Sequence, residues 1–595
     1  MSDYNPPVKD MLFVFDELCD LKGLSSLPTF SEITRDMVDH ILNESAKFTS
    51  EILAPLNQSG DQEASVLTDG NVTTPVGFKE AYASFIEGGW NGTPFETKHG
   101  GMSLPWTLTT SLQEMWQSAN LAWSLCPLLT LGAIEAVIAH ATPQLSKKFL
   151  PKLISGEWTG TMNLTEPQAG TDMSLLKTRA KRDGENYRIT GQKIYITYGE
   201  QDFTKNIVHL VLARLPDAPP GVKGISLFLV PKFLVNEDGS LGKRNDVFAV
   251  NIEHKLGIHA SPTCVMAYGD NEGAIGYLVG KENDGLRCMF TMMNNARLNV
   301  GLQGVAIGER AYQQAVEFAK SRVQSAAISG NKESTTIIKH PDVRRMLMMM
   351  RSQVEAMRAL AYYTNSTLDI SRNHTDKKIR DINNARMDLL TPVVKAWCTD
   401  LGVEIASMGL QVHGGMGFIE ETGAAQYFRD SRIAPIYEGT NGIQAIDLLG
   451  RKFLRDGGSA MDNLISEIEG IDEELDETED ADCKAIQKSL REGLNSLRIA
   501  SEWLLDPKNN DIDTKFSGAT PFLHLTGTVV GGWLMARSAL AAHRNLPNSE
   551  DRPFLEAKII TARFYADHVL PRANIFLPEI TRGSGSVLAL PENSF

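Results

Sequence analysis

Glu438 stands in a setting that could turn a carboxylate into a base. It follows the apolar run of residues 433–437 and precedes Gly439, at a predicted break between helices. A carboxylate held between Tyr437 and a bound planar ring would contact little water, which raises its pKa and makes it a stronger base. A lone glutamate is usually a surface charge, so the context rather than the residue type makes Glu438 a candidate.

Residues 162–172, M-N-L-T-E-P-Q-A-G-T-D, could hold a cofactor at the end of a predicted strand. The hydroxyl and amide of Thr165 could bind the polar edge of a planar ring system. Pro167 and Gly170 favour a sharp turn, after which Thr171 could present its hydroxyl and amide to a phosphate. Taken alone, T-E-P is more often only a turn after a strand.

Two further segments fit the same chemistry. In residues 191–199, G-Q-K-I-Y-I-T-Y-G, strand alternation predicts that Tyr195 and Thr197 share a face and could cover one side of a flat cofactor. A tyrosine packed in an ordinary sheet explains that pattern equally well. In residues 411–418, Q-V-H-G-G-M-G-F, Gly414 and Gly415 permit a tight loop whose amides approach a phosphate closely.

The elements that must position these segments predict an α+β multidomain fold for the 595-residue chain. Helical periodicity, runs of β-branched and aromatic residues, and turn signals divide the sequence into consecutive segments. We predict an N-terminal α-helical domain over residues 1–157, a middle antiparallel β-domain over 158–283, an α-helical bundle over 284–456 and an extra C-terminal α-helical domain over 457–595.

Three features inside these domains bear on the fold, and two of them have competing interpretations. Residues 108–140 show helical periodicity. The glycines Gly301, Gly304 and Gly308 resemble a dinucleotide fingerprint, but no βαβ strand precedes them, and we interpret them as close helix contacts. The acidic stretch of residues 462–482 is most simply a solvated helix face, with partner docking as the alternative.

Composition excludes several classes of protein. A net charge of −15 argues against a nucleic-acid or anionic-membrane surface. The 6 cysteines lie far apart without C-x-x-C spacing, which suits neither a zinc site nor a disulfide framework. The N-terminus shows no secretory signal, and the apolar run of residues 522–542 contains His524 and Arg537, so we interpret it as a buried helix. We expect a cytoplasmic protein without a metal, and we do not expect membrane association.

Taken together and in chain order, the segments 162–172, 191–199 and 411–444 resemble the flavin and substrate signatures of the acyl-CoA dehydrogenase family. The resemblance covers about residues 35–454 and rests most on residues 162–172 and on Y-E-G-T at 437–440. It implies a helical domain, a β-domain and a helical bundle. It also implies FAD as cofactor, an acyl-CoA substrate, and dehydrogenation across the Cα–Cβ bond of the thioester with Glu438 as the base.

The resemblance assigns further contacts position by position. Part of each FAD site comes from a neighbouring subunit, which implies a homodimer. The positions that match FAD contacts are Met162, Leu164, Thr165, Thr171, Tyr195, Thr197, Arg322, Gln411, Gly414, Gly415 and Thr440. The positions that match substrate contacts are Tyr437, Gly439 and Arg297.

Two comparisons within the family refine the site. Some relatives carry the base on an earlier helix, just before an arginine that corresponds to Arg297. Ala296 stands at that place and cannot accept a proton, which strengthens the assignment to Glu438. Gly442 stands where many relatives have glutamine, and Gln324 where many have threonine, so the flavin contacts at these positions are open.

The C-terminal segment is similar to that of long bacterial members of the family. That subgroup includes 3-methylmercaptopropionyl-CoA dehydrogenases of dimethylsulfoniopropionate breakdown and fatty acyl-CoA enzymes. We expect the sulfur-containing substrate and an electron-transfer flavoprotein as electron acceptor. The alternatives are a broad medium- to long-chain fatty acyl-CoA dehydrogenase of β-oxidation, an acyl-CoA oxidase that reacts with oxygen, and a non-catalytic flavoprotein or scaffold.

Overall fold

A computed structural model of the chain describes residues 4–328, 330 and 333–595. The chain forms two compact units. The sheet unit comprises Lys47–Leu104 and Ala119–Asn299, and the helical unit comprises Met1–Ala46, Pro105–Ser118 and Val300–Phe595. The predicted N-terminal domain, residues 1–157, is divided between these two units. The division into two units therefore does not test the four predicted domain boundaries, which stay a prediction.

The sheet unit is built on strands of 3 to 12 residues. They are β1 Val66–Thr68, β2 Asn71–Thr73, β3 Trp158–Asn163, β4 Arg179–Asp183, β5 Asn186–Thr197, β6 Asn206–Arg214, β7 Ile225–Pro231, β8 Phe233–Val235, β9 Leu241–Arg244, β10 Val247–Ile252, β11 Thr263–Tyr268 and β12 Ala274–Val279. Its helices are Leu56–Glu63, Phe78–Glu87, Leu121–His140 and Pro143–Ile154.

The main sheet has 8 strands in the order β10-β11-β5-β12-β7-β6-β3, and β4 pairs with β5 and β6. Its core includes Ile189, Val211 and Phe228, each fully buried. The antiparallel prediction is wrong for one edge, because β3 and β6 run parallel from Trp158↔Asn206 onward. The chain passes through β4 and β5 between them, which supplies the long connection that a parallel pair needs.

One apolar helix of the sheet unit packs directly on β3. A Cβ at Gly160 of β3 would lie 2.4 Å from Ala133 Cβ of the Leu121–His140 helix. This helix is long and apolar enough to cross a membrane, but 94% of its apolar window is buried, as in a core helix. Helical residues 108–140 form two helices rather than one, because the Asn120 side chain accepts a hydrogen bond from Trp123 N–H and caps a new helix there.

The helical unit contains long helices and one short hairpin of β13 Val323–Ala326 with β14 Ser334–Thr336. Its helices before the C-terminal extension are Val8–Glu17, Leu21–Ser25, Arg35–Phe48, Trp106–Ala119, Gly285–Ser321, Pro341–Asn373, Lys377–His413, Ala424–Ser431 and Asn441–Ile446. Of these, Arg35–Phe48, Trp106–Ala119 and Gly285–Ser321 also contribute residues to the sheet unit. The helices of the C-terminal extension (residues 457–595) are Ser459–Asp476, Ala481–Leu505, Ile512–Ser517, Ala519–Asn545, Arg552–His568, Ala573–Arg582 and Ser584–Val587.

Glycines allow two long helices of this unit to touch. A Cβ at Gly304 of the Gly285–Ser321 helix would lie 2.0 Å from the carbonyl oxygen of Cys398, and one at Gly301 would lie 2.6 Å from that of Val394. No side chain fits in either gap. The interpretation of these glycines as close helix contacts is confirmed, and so is the prediction of a buried helix over residues 522–542.

Arg358 lies at the centre of a buried cluster of charges in the helical unit. Its guanidinium donates hydrogen bonds to Asp10 (2.7 Å), Glu114 (2.6 Å) and Glu309 (2.7 Å), each on a different helix. Burial raises the pKa of Glu114, and the Arg358 guanidinium opposes that rise. Losing one member of such a cluster leaves the opposite charges buried without compensation.

The same cluster connects the C-terminal extension to the bundle. Lys558 of the extension donates to Asp10 at 2.6 Å and to Glu355 at 2.7 Å. Its side chain is only 2% exposed. The extension is therefore built into the core of the helical unit rather than attached to its surface.

We expect Lys558→Met to destabilise the helical unit by on the order of 3 kcal/mol, because it leaves two carboxylates buried with less positive charge. The measurement is the urea midpoint of the helical circular dichroism signal. Lys377→Met is the matched control, since Lys377 pairs with Asp381 while its side chain is 77% exposed. Equal midpoints for the two variants would show that the buried cluster contributes no more than a surface pair.

Candidate active site

The segment that carries Glu438 is a turn between the Ala424–Ser431 and Asn441–Ile446 helices. Glu438 is partly buried and has a φ of +58°, and Gly439 follows with a φ of +85°. A side-chain-bearing residue at positive φ costs on the order of 1–2 kcal/mol, so surrounding groups must hold it there.

Two buried side chains donate hydrogen bonds to the backbone of this turn. Gln444 Nε2 donates to the carbonyl oxygens of Glu438 (3.1 Å) and Gly439 (3.4 Å). Lys395 Nζ donates to Gly439 O and to Asn441 Oδ1, both at 2.8 Å. Both Lys395 and Gln444 are 0% exposed. The carbonyl groups of Glu438 and Gly439 are therefore fixed by hydrogen bonds that water does not weaken.

Tyr437 and Gln303 line the turn next to Glu438. The Tyr437 hydroxyl donates to Gln303 Oε1. Burial raises the pKa of Tyr437, and the neighbouring Glu438 raises it further, so the phenol stays neutral. Gln303 is 1% exposed, and its Nε2 has no hydrogen-bond partner within the described part of the chain. A bound group with an acceptor atom would satisfy this buried donor.

The predicted flavin residues of the sheet unit meet where β3 ends beside β5. Met162 lies in β3, and Leu164 and Thr165 follow it, partly buried. The Ile194 N–H of β5 donates to Thr165 O at 2.9 Å. Lys193 Nζ donates to Leu164 O at 2.9 Å. The structure brings this part of the predicted set together.

A buried ion pair fixes the turn after Thr165. Glu166 Oε1 accepts from Lys193 Nζ at 2.8 Å, and the Glu166 carboxylate also accepts from the N–H groups of Lys177 (2.7 Å) and Thr178 (3.0 Å). Burial alone would raise the pKa of Glu166, but Lys193 and these hydrogen bonds lower it to about 2. The glutamate of the T-E-P motif is thus an anchor for the loop.

Tyr195 occupies a β-bulge rather than a regular strand position. Cys264 pairs with Ile196 and Met266 with Lys193, so β5 has an extra residue there, and Tyr195 has a φ of +61°. The bulge interrupts the period of two at Tyr195, and the shared face of Tyr195 and Thr197 stays a prediction. The bulge leaves the Tyr195 ring 60% exposed, which offers a flat surface for stacking.

The glycine loop follows the end of the Lys377–His413 helix. Gly414 has a φ of +59°, and no heavy atom lies within 4 Å of the Cβ position at Gly414 or Gly415, so the chain is open on that side. The Gly414 N–H itself donates to Gln411 O and ends the helix. The His413 ring stacks on Phe318, with ring centroids 4.4 Å apart. Gln411 is exposed near the end of the same helix, and Arg322 is exposed just after the Gly285–Ser321 helix. Arg322 Nη2 lies 3.4 Å from Gln324 Oε1.

Three further predicted residues are Thr171, Arg297 and Thr440. Thr171 is exposed, while Arg297 is 6% exposed, with its guanidinium 5.9 Å from the centre of the Phe290 ring. Thr440 caps the Asn441–Ile446 helix, and its hydroxyl oxygen accepts from Ile443 N–H at 3.4 Å. The ligand contacts assigned to all of these residues stay predictions.

Sequence reasoning missed the residues that support the site. Gln303, Lys395 and Gln444 were not among the predicted residues, and neither was Lys193. Lys395 carried a signal, because a lysine inside the apolar run P-V-V-K-A-W-C indicates a buried charge that needs a partner. Gln303 and Gln444 are common helix residues without such a signal.

Four family models match consecutive parts of the chain. They are the acyl-CoA dehydrogenase N-terminal domain (residues 40–157), middle domain (161–270) and C-terminal domain (283–453), and a domain described as acetyl-CoA dehydrogenase C-terminal like (464–591). The chain belongs to the acyl-CoA dehydrogenase family. It is an oxidoreductase that acts on an acyl-CoA, and like its family it depends on FAD.

Individual relatives of this acyl-CoA dehydrogenase extend over its whole length. A 3-methylmercaptopropionyl-CoA dehydrogenase of Ruegeria pomeroyi is 46% identical over 98% of this chain and 99% of its own. A broad-specificity linear acyl-CoA dehydrogenase of Mycobacterium tuberculosis is 32% identical over 100% of both. The solved structure of a Bacillus anthracis acyl-CoA dehydrogenase complexed with FAD has the same fold, with a TM-score of 0.73, 20% identity and coverage of 96% of this chain and 91% of that one.

The residues of this acyl-CoA dehydrogenase fit FAD at three places. Tyr195 exposes an aromatic ring that a planar ring system could cover. Gly414 and Gly415 leave their Cβ positions open, which gives a phosphate group room to approach the loop. The buried Nε2 of Gln303 needs an acceptor. A buried donor without a partner, such as Gln303 Nε2, is costly in a protein that binds nothing there.

We expect Gly439→Ala to lower kcat for acyl-CoA oxidation by about 10- to 100-fold with little effect on folding, because small displacements of reacting groups are costly. A Cβ at Gly439 would lie 2.8 Å from Gln444 Nε2, and the φ of +85° disfavours alanine. Gly442→Ala is the control, since its Cβ would have no neighbour closer than 4.0 Å. Steady-state kinetics of both variants check this expectation, which fails if they match.

Proposed function

We propose that this acyl-CoA dehydrogenase oxidises 3-methylmercaptopropionyl-CoA to methylthioacryloyl-CoA in dimethylsulfoniopropionate catabolism. One observation carries the proposal. The relative with that activity in its name is 46% identical over 98% of the chain, including the C-terminal extension. Substrate-lining residues come from several elements, so similarity along the whole chain supports a shared acyl group more strongly than a single motif does.

Glu438 is the proposed base, and its carboxylate accepts the proton from Cα of the acyl thioester. The backbone N–H of Glu438 donates to the thioester oxygen and stabilises the negative charge that develops there. FAD, when bound, supplies the acceptor for the hydrogen that leaves Cβ with its electron pair. A positioned base contributes about 10²- to 10⁴-fold to such a step, and Lys395 and Gln444 provide the positioning.

The assembly and the electron acceptor are proposed from the same family resemblance, and the location is proposed from the composition. We infer a homodimer, in which the exposed glycine loop at Gly414 and Gly415 would reach the FAD site of the neighbouring subunit. An electron-transfer flavoprotein is the proposed acceptor. The cytoplasm is the proposed location, consistent with the net charge of −15 and with 6 buried cysteine thiols.

A second candidate is a broad-specificity enzyme for linear acyl-CoA thioesters. The full-length Mycobacterium tuberculosis relative with that activity in its name favours it, at a lower identity of 32%. The same base and cofactor would serve both reactions, so only the acyl pocket separates them.

A substrate series separates the two candidates. Pentanoyl-CoA is the matched control, since it replaces the sulfur of 3-methylmercaptopropionyl-CoA by a methylene group. We expect kcat/KM to be roughly tenfold higher for the sulfur compound than for pentanoyl-CoA and the longer linear thioesters, a ratio within reach of a shaped pocket. A flat profile from short to long chains would favour the broad enzyme and overturn the specialised assignment.

The same assay identifies the electron acceptor. Under anaerobic conditions, turnover with electron-transfer flavoprotein or an artificial acceptor should proceed at the full rate. Turnover that needs oxygen and produces hydrogen peroxide would show an acyl-CoA oxidase instead. Absence of any flavin bleaching by acyl-CoA would show a non-catalytic flavoprotein.

A further inference from the structure

Asn441 connects the turn of Glu438 to the Lys377–His413 helix behind it. Its Oδ1 accepts from Lys395 Nζ, which also holds Gly439 O, at 2.8 Å in both cases. Its Nδ2 donates to Ala396 O at 3.1 Å and to Asp400 Oδ1 at 2.8 Å. The position of the turn therefore depends on where Lys395 and Asp400 stand.

Asp400 in turn contacts the C-terminal extension. Its second oxygen, Oδ2, lies 3.3 Å from Nε2 of His524, which belongs to the Ala519–Asn545 helix. The His524 ring stacks on Phe576 of another extension helix, with centroids 5.8 Å apart and planes at 22°. A stacked imidazole has few rotamers available, so it presents Nε2 to Asp400 from a fixed direction.

The Lys377–His413 and Ala519–Asn545 helices are closely packed beside this contact. Trp397, 2% exposed, lies between Lys395 and Asp400 in sequence. A Cβ at Gly527 would lie 2.4 Å from its ring, and one at Gly531 would lie 2.9 Å from it. The extension helix thus sits on Trp397 and cannot shift along the Lys377–His413 helix without a clash.

We propose that the C-terminal extension positions the catalytic turn, and that His524 is the positioning residue through which it acts. The contacts run from His524 to Asp400, from Asp400 to Asn441, from Asn441 to Lys395, and from Lys395 to the carbonyl oxygen of Gly439, the residue after Glu438. His524 touches neither substrate nor cofactor in this arrangement. The inference rests on the proposed role of Glu438 as base, and it gives the extension a part in the reaction.

The test measures anaerobic flavin reduction by acyl-CoA in the full-length FAD-loaded enzyme. His524→Phe keeps a ring for stacking on Phe576 and removes the contact to Asp400. We expect the limiting rate of flavin reduction to fall on the order of tenfold, with acyl-CoA affinity, FAD content and thermal midpoint unchanged. His524→Gln can place an amide N–H near Asp400 and should recover most of the rate.

Two further variants separate positioning from general destabilisation. His543→Phe is the matched control, because His543 lies on the same helix and contacts Thr478 instead. It should reduce flavin at the wild-type rate. His524→Phe combined with Asp400→Ala should be no slower than Asp400→Ala alone, because the two residues act in series.

Several outcomes would overturn the inference. One is a wild-type rate in His524→Phe, and another is a slow rate that His524→Gln does not recover. A third is loss of FAD or of thermal stability in step with the rate, and a fourth is a double variant slower than Asp400→Ala. A wild-type enzyme whose flavin is not reduced by any acyl-CoA would instead contradict the proposed function itself.

Discussion

The active site depends on one constraint, which is that the backbone of Glu438 and Gly439 is held in a single conformation. Glu438 and Gly439 both have positive φ, and the turn would relax without the hydrogen bonds from Lys395 and Gln444. A free ammonium group in a core is costly, so Lys395 is stable at 0% exposure because carbonyl and amide oxygens surround it. The turn and the buried lysine each make the other possible.

In both units, buried charged side chains fix the position of neighbouring segments. In the sheet unit, Lys193 and Glu166 fix the turn beside Thr165. In the helical unit, Arg358 and Lys558 fix the C-terminal extension to the bundle through Asp10. Such pairs add little net stability over apolar packing, but they admit only one arrangement of the partners. An active site built on turns needs that single arrangement more than it needs extra stability.

The sequence predicted the helical and β-rich regions well, because periodicity reports which face of an element is buried. It also predicted that Gly301 and Gly304 mark helix contacts, since nothing else explained three glycines in a helix. It did not predict the break at Asn120 inside a continuous apolar pattern, nor the parallel pairing of β3 with β6, which depends on how distant strands meet. The bulge at Tyr195 was hidden for the same reason, because it depends on the register of β5 with its partner strand β11.

The candidate site was predictable only for residues whose motifs carry their own context, such as Glu438 in Y-E-G-T. Gln303, Gln444 and Asn441 were not predictable. The role of Gln303 depends on a contact with a turn that is distant in sequence. Gln444 and Asn441 are close to the turn, but their residue types alone do not show that they contact it. The most direct test of the account is anaerobic flavin reduction in Glu438→Gln, which keeps the shape of the side chain and removes its basicity. The account predicts normal FAD content and acyl-CoA binding with reduction slowed by at least about 10²-fold. Reduction at the wild-type rate would show that another group removes the proton.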